Sequence, residues 1–206
     1  TTAVFSVVDR ILFRALPYAH ADRLVSVGLV QSLEPQEFVL GYFYYDWQRN
    51  QKPFESLTSE NATMGECDLT DRNPAQLSCI NVEGNFLPTL GITPVLGRNF
   101  SPEEVLPNGP HVALISYGLW LSRYNLNPDI LNKAIDIDGS PVRVIGVLPK
   151  DFEMPRLQAA DVLFPMALAE AVDRRSNSGL GGPRRAFARL KSGVSVQQAE
   201  AELQPL

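Results

Sequence analysis

The run Val82-Glu83-Gly84-Asn85-Phe86-Leu87-Pro88-Thr89-Leu90-Gly91-Ile92-Thr93-Pro94-Val95-Leu96-Gly97-Arg98-Asn99-Phe100 constrains this chain more than any other stretch. Gly84-Asn85 breaks the extended run before it. Asn85 is placed to cap a short helix from Phe86 to Leu90, whose apolar Phe86, Leu87 and Leu90 fall on one side. Gly91 suits the left-handed residue that ends a helix, and Pro94 and Gly97 prevent a return to one. The spacing predicts a strand end, a short helix and a bent loop in succession. On these residues alone, that is a well-capped surface helix of an ordinary domain.

Periodicity places the other elements. Ala3 to Leu16 carries Val4, Val7, Val8, Ile11 and Leu12 at helical spacing, closed by Pro17. Leu24 to Val30 reads as a strand and Tyr42 to Asn50 as an aromatic-dense helix. Rings in that pattern either pack a helix face on a sheet or form a stacking platform for sugars or bases. Glu55–Leu69 and Gln76–Glu83 flank the turn Asp71–Pro74 as a hairpin. Glu103 to Pro110 is a polar loop, Val112–Ser116 a buried strand, and Ser116 the cap of a helix to about Tyr124 with Trp120 and Leu121 on its apolar side. Ala134 to Val147 is a hairpin turned by Asp138-Gly139. After the irregular stretch Phe152–Asp161 come a strand at Val162–Met166, a helix at Ala167–Arg175 and a flexible loop at Ser176–Pro183. A strand at Arg185–Leu190 precedes a helix at Val196–Leu203, which Ser195 and Gln198 cap reciprocally.

Chemistry is scarce. His20 and His111 are far apart in sequence, and neither has a partner pattern for nucleophilic catalysis. Asp136 and Asp138 share a strand face, as an acid–base pair would, but nothing nearby completes a site; they read as solvated strand residues and do not fit a calcium loop. Gly179–Gly182 lacks the lysine of a phosphate cradle. Cys67 and Cys79 lie nearly symmetrically about Arg72-Asn73, so they are candidates for a disulfide or for two buried free thiols; with no nearby His they are short of ligands for a metal. No catalytic, cofactor-binding or metal residues are assigned, and the chain is read as non-enzymatic without a cofactor. With a net charge of -5 and arginines paired only at Arg174-Arg175 and Arg184-Arg185, no basic stripe exists for nucleic acid. The chain starts without Met and reads as part of a longer protein. No apolar run reaches the roughly 20 residues that span a bilayer. Ala3 to Leu16 comes nearest, interrupted by Asp9, Arg10 and Arg14.

Gly-Asn-Phe followed by Leu-Gly-Ile-x-Pro-x-x-Gly-Arg-x-Phe resembles a signature of the extracytoplasmic (periplasmic core) domain of MacB-type ABC transporter permeases. Its residues here are Gly84, Asn85, Phe86, Leu90, Gly91, Pro94, Gly97, Arg98 and Phe100. Three further segments match in order: Ala3–Tyr18, then Val112–Trp120 with Gly139–Val147, then Ala188–Ser195. Among such permeases the chain is most similar to the duplicated orphan permeases of Acidobacteria, which carry the domain without a fused ATPase.

The resemblance implies an α+β fold and a bacterial inner-membrane protein whose domain faces the periplasm. Residues 1–21 would be the end of a transmembrane helix and its exit. Residues 22–81 and 159–206 would form a porter-like βαβ subdomain built from both chain ends, with a mixed α/β subdomain, called Sabre, inserted at 82–158. The family's domain moves as ATP is bound and hydrolysed across the membrane and passes that motion to other proteins. The implied partners are the permease's own transmembrane helices, a separate ATPase subunit, a periplasmic adaptor and an outer-membrane duct, with a dimer in the intact transporter. The extracytoplasmic setting favours the bridge between Cys67 and Cys79. The alternative reading is an extracytoplasmic small-molecule or peptide binding or sensing module that uses Tyr42–Trp47. It requires exposed rings at Tyr44, Tyr45 and Trp47, whereas the transporter reading requires them buried.

Overall fold

The computed structural model describes residues 18–31, 34–71, 73–168, 170 and 182–203. The expected helix Ala3–Leu16, most of the expected helix to Arg175, and the Ser176–Gly181 part of the expected loop lie outside them. The chain divides into two compact units, 1–62 with 169–206, and 63–168. The expected insertion at 82–158 falls inside the second unit.

The first unit is built on one strand. Strand β12, Pro183–Leu190, pairs antiparallel with β4, Phe54–Asn61, along its length and with β1, Leu24–Val27, on its other side. Its first residues meet the end of β3, Glu34–Leu40, which pairs in turn with β2, Leu29–Gln31. The strand expected across 24–30 is therefore two, divided at Gly28. Covered on both faces, β12 is buried from Arg184 to Leu190. Its arginines are held inside the unit rather than offered to a polyanion: Arg184 lies over the Tyr45 ring, Arg185 Nε donates to Ala62 O at 2.9 Å and Arg189 donates to His20 O at 3.3 Å. Arg23 closes the end of the strand, donating to Leu190 O at 2.9 Å and pairing with Glu55.

Helix α1, Gly41–Asn50, lies against β3 and β12. Tyr44, Tyr45 and Trp47 are 0, 4 and 2% exposed, whereas Tyr42 is 41% exposed. The aromatic segment is a packing face. Helix α4, Val196–Leu203, buries Ala199 and Leu203; the Ser195 hydroxyl accepts from Gln198 N, and Gln198 Oε1 accepts from Ser195 N, as the sequence pattern requires.

The second unit contains a sheet that closes on itself. Strands β5 (Gly65–Leu69), β6 (Ala75–Val82), β8 (Val112–Ile115), β9 (Ala134–Ile137), β10 (Ser140–Val147) and β11 (Val162–Pro165) pair in the cyclic order β5-β6-β11-β8-β10-β9. Two joints are parallel, β6 with β11 and β8 with β10. Inward-facing Leu69, Leu77, Ala113, Ile115, Ile135, Ile137, Val142, Val144 and Val162 fill the interior, so this small barrel is packed rather than hollow. Residues 62–64 divide the first arm of the hairpin expected from 55 to 83 into β4, which pairs with β12, and β5, which pairs with β6 across the turn.

Cys67 and Cys79 are bonded to each other across that hairpin. They are diagonal rather than opposite, since Cys67 faces Leu77 and Cys79 faces Gly65, with a Cα separation of 6.0 Å that suits a bridge. Asp138 and Gly139 both have positive φ, 53° and 74°, which a two-residue hairpin turn of this twist requires. Helix α3, Tyr117–Tyr124, is capped by Ser116, whose Oγ accepts from Leu119 N at 3.0 Å. Its buried residue is Leu119; Leu121, expected on the apolar side, is 50% exposed. The eight-residue helix presents a narrow stripe; Trp120 packs half-buried against the core, as expected, while its indole N–H donates to Asn127 O.

Trp47→Ala is expected to lower stability by about 3–5 kcal/mol, the usual cost of emptying a large buried site. Urea unfolding of the 206-residue chain checks it.

Candidate functional site: the signature segment

The segment from Gly84 to Val105 leaves the barrel at the end of β6 and returns to its own start. Helix α2, Phe86–Leu90, buries Phe86, Leu87, Thr89 and Leu90. The Asn85 side chain makes no capping bond, contrary to the expectation; the Asn85 carbonyl instead accepts from Thr89 N, and Phe86 N donates to Glu83 O. Gly91, at φ 74°, ends the helix, and Gly91 N and Ile92 N donate back to Pro88 O and Leu87 O. Past Pro94 the chain becomes a two-residue strand, β7, Leu96–Gly97, antiparallel to Gly146 and Val147 of β10. Strand β9 covers the other end of that same edge, from Ser140 to Arg143. The edge is thus shared between two partners in succession.

Gly97 is where this contact is closest. At φ 78°, a Cβ there would lie 2.1 Å from Ile145 O, and a Cβ on the facing Gly146 would lie 2.8 Å from Arg98 O. Val95 N donates to Val147 O and Arg98 N to Ile145 O. Gly84 is hemmed in as well, because its Cβ would lie 2.7 Å from Val105 Cγ1 and 3.9 Å from Phe100 Cβ.

The return is locked by a residue that sequence reading passed over. Glu103–Pro110, expected as loop, begins with a single 3-10 turn, Pro102–Val105, whose N-cap Ser101 and third residue Glu104 form a capping box. Glu104 is 4% exposed. Its carboxylate accepts from both terminal nitrogens of Arg98, at 2.8 and 2.6 Å, and from Ser101 N at 2.8 Å. Arg143 stands 3.8 Å from the same carboxylate. The Arg98 guanidinium holds the Glu104 carboxyl below its ordinary range against the opposing effect of burial, with the Ser101 N–H adding to the lowering. The pattern Ser-Pro-Glu-Glu was the available signal, a cap followed by proline at the first position and glutamate at the third.

Asp136 and Asp138 are hydrogen-bond acceptors to β5 and the residue after it. Asp138 Oδ1 accepts from Asp68 N at 2.8 Å and the Asp136 carboxylate from the Thr70 hydroxyl. His20 and His111 make no side-chain hydrogen bond or ion pair with another described residue; their carbonyls accept from Arg23 N and Arg143 N. The Tyr124 phenol is pushed up to about 12, by burial first and by Asp71 second, which keeps it protonated near neutral pH. No cluster able to hold a metal ion occurs among the described residues. An open depression of about 440 Å³ lies beside Gly97, Arg98 and Arg143. Among these residues the arrangement is scaffolding, with hydrogen bonds spent on holding backbone.

A family model described as the MacB-like periplasmic core domain matches residues 1–206. No curated protein matches the chain. The fold is shared with solved structures, three of which follow. A domain from Porphyromonas gingivalis, whose parent protein is assigned as a permease, is 21% identical with a TM-score of 0.62, covering 87% of this chain and 80% of its own. The periplasmic region of MacB from Actinobacillus actinomycetemcomitans is 16% identical with a TM-score of 0.58, covering 80% and 71%. The extracellular domain of the ABC-type transporter YknZ from Gram-positive bacteria is 12% identical with a TM-score of 0.61, covering 87% and 90%.

Two outcomes are expected. Gly97→Ala should lower stability by more than about 3 kcal/mol, because it combines a strained φ with a backbone clash; thermal unfolding measures it. Glu104 has a depressed folded-state pKa, so its contribution is present above the unfolded carboxyl value of about 4.3 and is lost as pH falls through the folded value. Between pH 7 and 3 the melting temperature of Glu104→Gln should therefore fall less than that of the unsubstituted chain.

Proposed function

Because the chain belongs to the MacB-like periplasmic core domain family, we propose that it is a non-catalytic part of a transporter permease that passes movement of membrane helices to periplasmic partners or substrate. The family match across all 206 residues carries this reading. The site chemistry supports it: coupling motion needs stiff units joined at defined points, and the signature residues serve stiffness. In this reading Gly84, Asn85, Phe86, Leu90, Gly91, Pro94, Gly97, Arg98 and Phe100 are structural. The unit made from both chain ends is the porter-like part, and 63–168 contains the inserted Sabre-like part. Residues 1–21 carry the connection to a transmembrane segment. No helix among the described residues is long and apolar enough to cross a membrane, so the connection rests on the family alone.

The partners proposed are the permease's own transmembrane helices, a separate ATPase subunit, a periplasmic adaptor and an outer-membrane duct, in a dimeric transporter at the inner membrane. The sensing alternative needs exposed rings on α1, and burial of Tyr44, Tyr45 and Trp47 removes its platform.

In-cell crosslinking of the full-length protein, followed by identification of what co-purifies, tests the reading. Recovery of an ATPase and a periplasmic adaptor is the expected result. A membrane-tethered protein that brings down neither would overturn it.

A further inference from the structure

The six joints of the barrel are unequal. β5 and β6 match over five residue pairs; β6–β11, β8–β10 and β9–β10 match over four each; β8–β11 over two. Between β5 and β9 there is one, Leu69 opposite Ile137. Around it run two backbone hydrogen bonds, Thr70 N to Asp136 O and Asp138 N to Asp68 O, both 2.9 Å. Two more come from carboxylate side chains, Asp138 to Asp68 N and Asp136 to the Thr70 hydroxyl. Asp68, Thr70 and Asp138 are exposed, so water can compete for every one of these bonds, while Leu69 and Ile137 face inward at 0 and 3% exposure.

We propose that the β5–β9 joint is a built-in seam, where the barrel opens locally while the rest stays paired. Each side of the seam is secured from behind. β9 is held to β10 by four pairs and the Asp138-Gly139 turn. β5 is held to β6 by five pairs and by the bond between Cys67 and Cys79. Opening therefore moves the β5–β6 hairpin as one piece away from the β9–β10 hairpin, and it costs one ladder pair with its flanking bonds rather than a whole strand. The bridge determines which joint yields: without it β5 is free to part from β6 as well. Local opening of this kind is governed by the number and exposure of the bonds broken. The inference rests on strand pairing alone and does not need the transport reading.

Amide hydrogen exchange on the 206-residue chain at neutral pH tests it. The amides of Asp68, Thr70 and Asp138 are expected to exchange at least about tenfold faster than the paired amides of β8 and β10, a difference of about 1.4 kcal/mol in opening free energy. The double variant Thr70→Cys with Asp136→Cys, which places cysteines at opposed positions beside the joint, should slow Asp68 and Asp138 toward the β8 and β10 rates when oxidised. Equal protection at the seam and in β8 and β10 of the unsubstituted chain would overturn the proposal. So would an oxidised, crosslinked variant whose seam amides still exchange fast. Neither result bears on the partners of the permease, which crosslinking in cells reports separately.

Discussion

Everything about the signature segment depends on two backbones approaching more closely than side chains allow. β7 reaches β10 because Gly97 and Gly146 face each other without Cβ atoms. That contact lets a segment outside the barrel take over the β10 edge where β9 leaves it. An exposed strand edge is a hazard, and covering it is a standard remedy. The bend that brings β7 there needs α2 to stop sharply, which Gly91 ensures, and needs the chain after it to be pinned. Arg98 and Glu104 supply that pin.

The Arg98–Glu104 pair illustrates how a charge is made tolerable indoors. An isolated buried carboxylate is expensive, and a pair does well only when its remaining hydrogen-bond capacity is used. Here both carboxylate oxygens are occupied, by the two terminal nitrogens of Arg98 and by Ser101 N. Arg98 itself stays half exposed, keeping its own desolvation small. The result fixes loop geometry with two side chains and one capping box, in a segment too short to bury much apolar area of its own.

The two units solve the burial problem differently. In the first, a single strand is covered on both faces, which forces its arginines to find partners inside: a ring, a carbonyl, a neighbouring loop. In the second, a closed sheet removes most edges and fills its interior with aliphatic side chains and one disulfide. Neither brings together a nucleophile, a base and an oxyanion site among the described residues. Polar groups are used to hold chain to chain.

Much of this was legible in the sequence. Local rules fixed α2 with Gly91, the Ser116 cap, the Asp138-Gly139 turn and the Ser195–Gln198 box, because each depends on residues within one turn of each other. The aromatic density of α1 announced a buried face. Tertiary structure alone decided the rest. Which strand β4 would pair with, and that β6 and β11 would close a barrel, depend on partners more than eighty residues apart, which no local pattern encodes. Leu121 looked apolar and inward, yet a two-turn helix buries a single narrow stripe. The Ser101–Glu104 capping pattern was local and could have marked Glu104, but its burial was not written there, and Asp136 and Asp138 became acceptors only because β5 was laid beside them. The sequence by itself determined where the chain turns; distance across the fold determined what each charge was for.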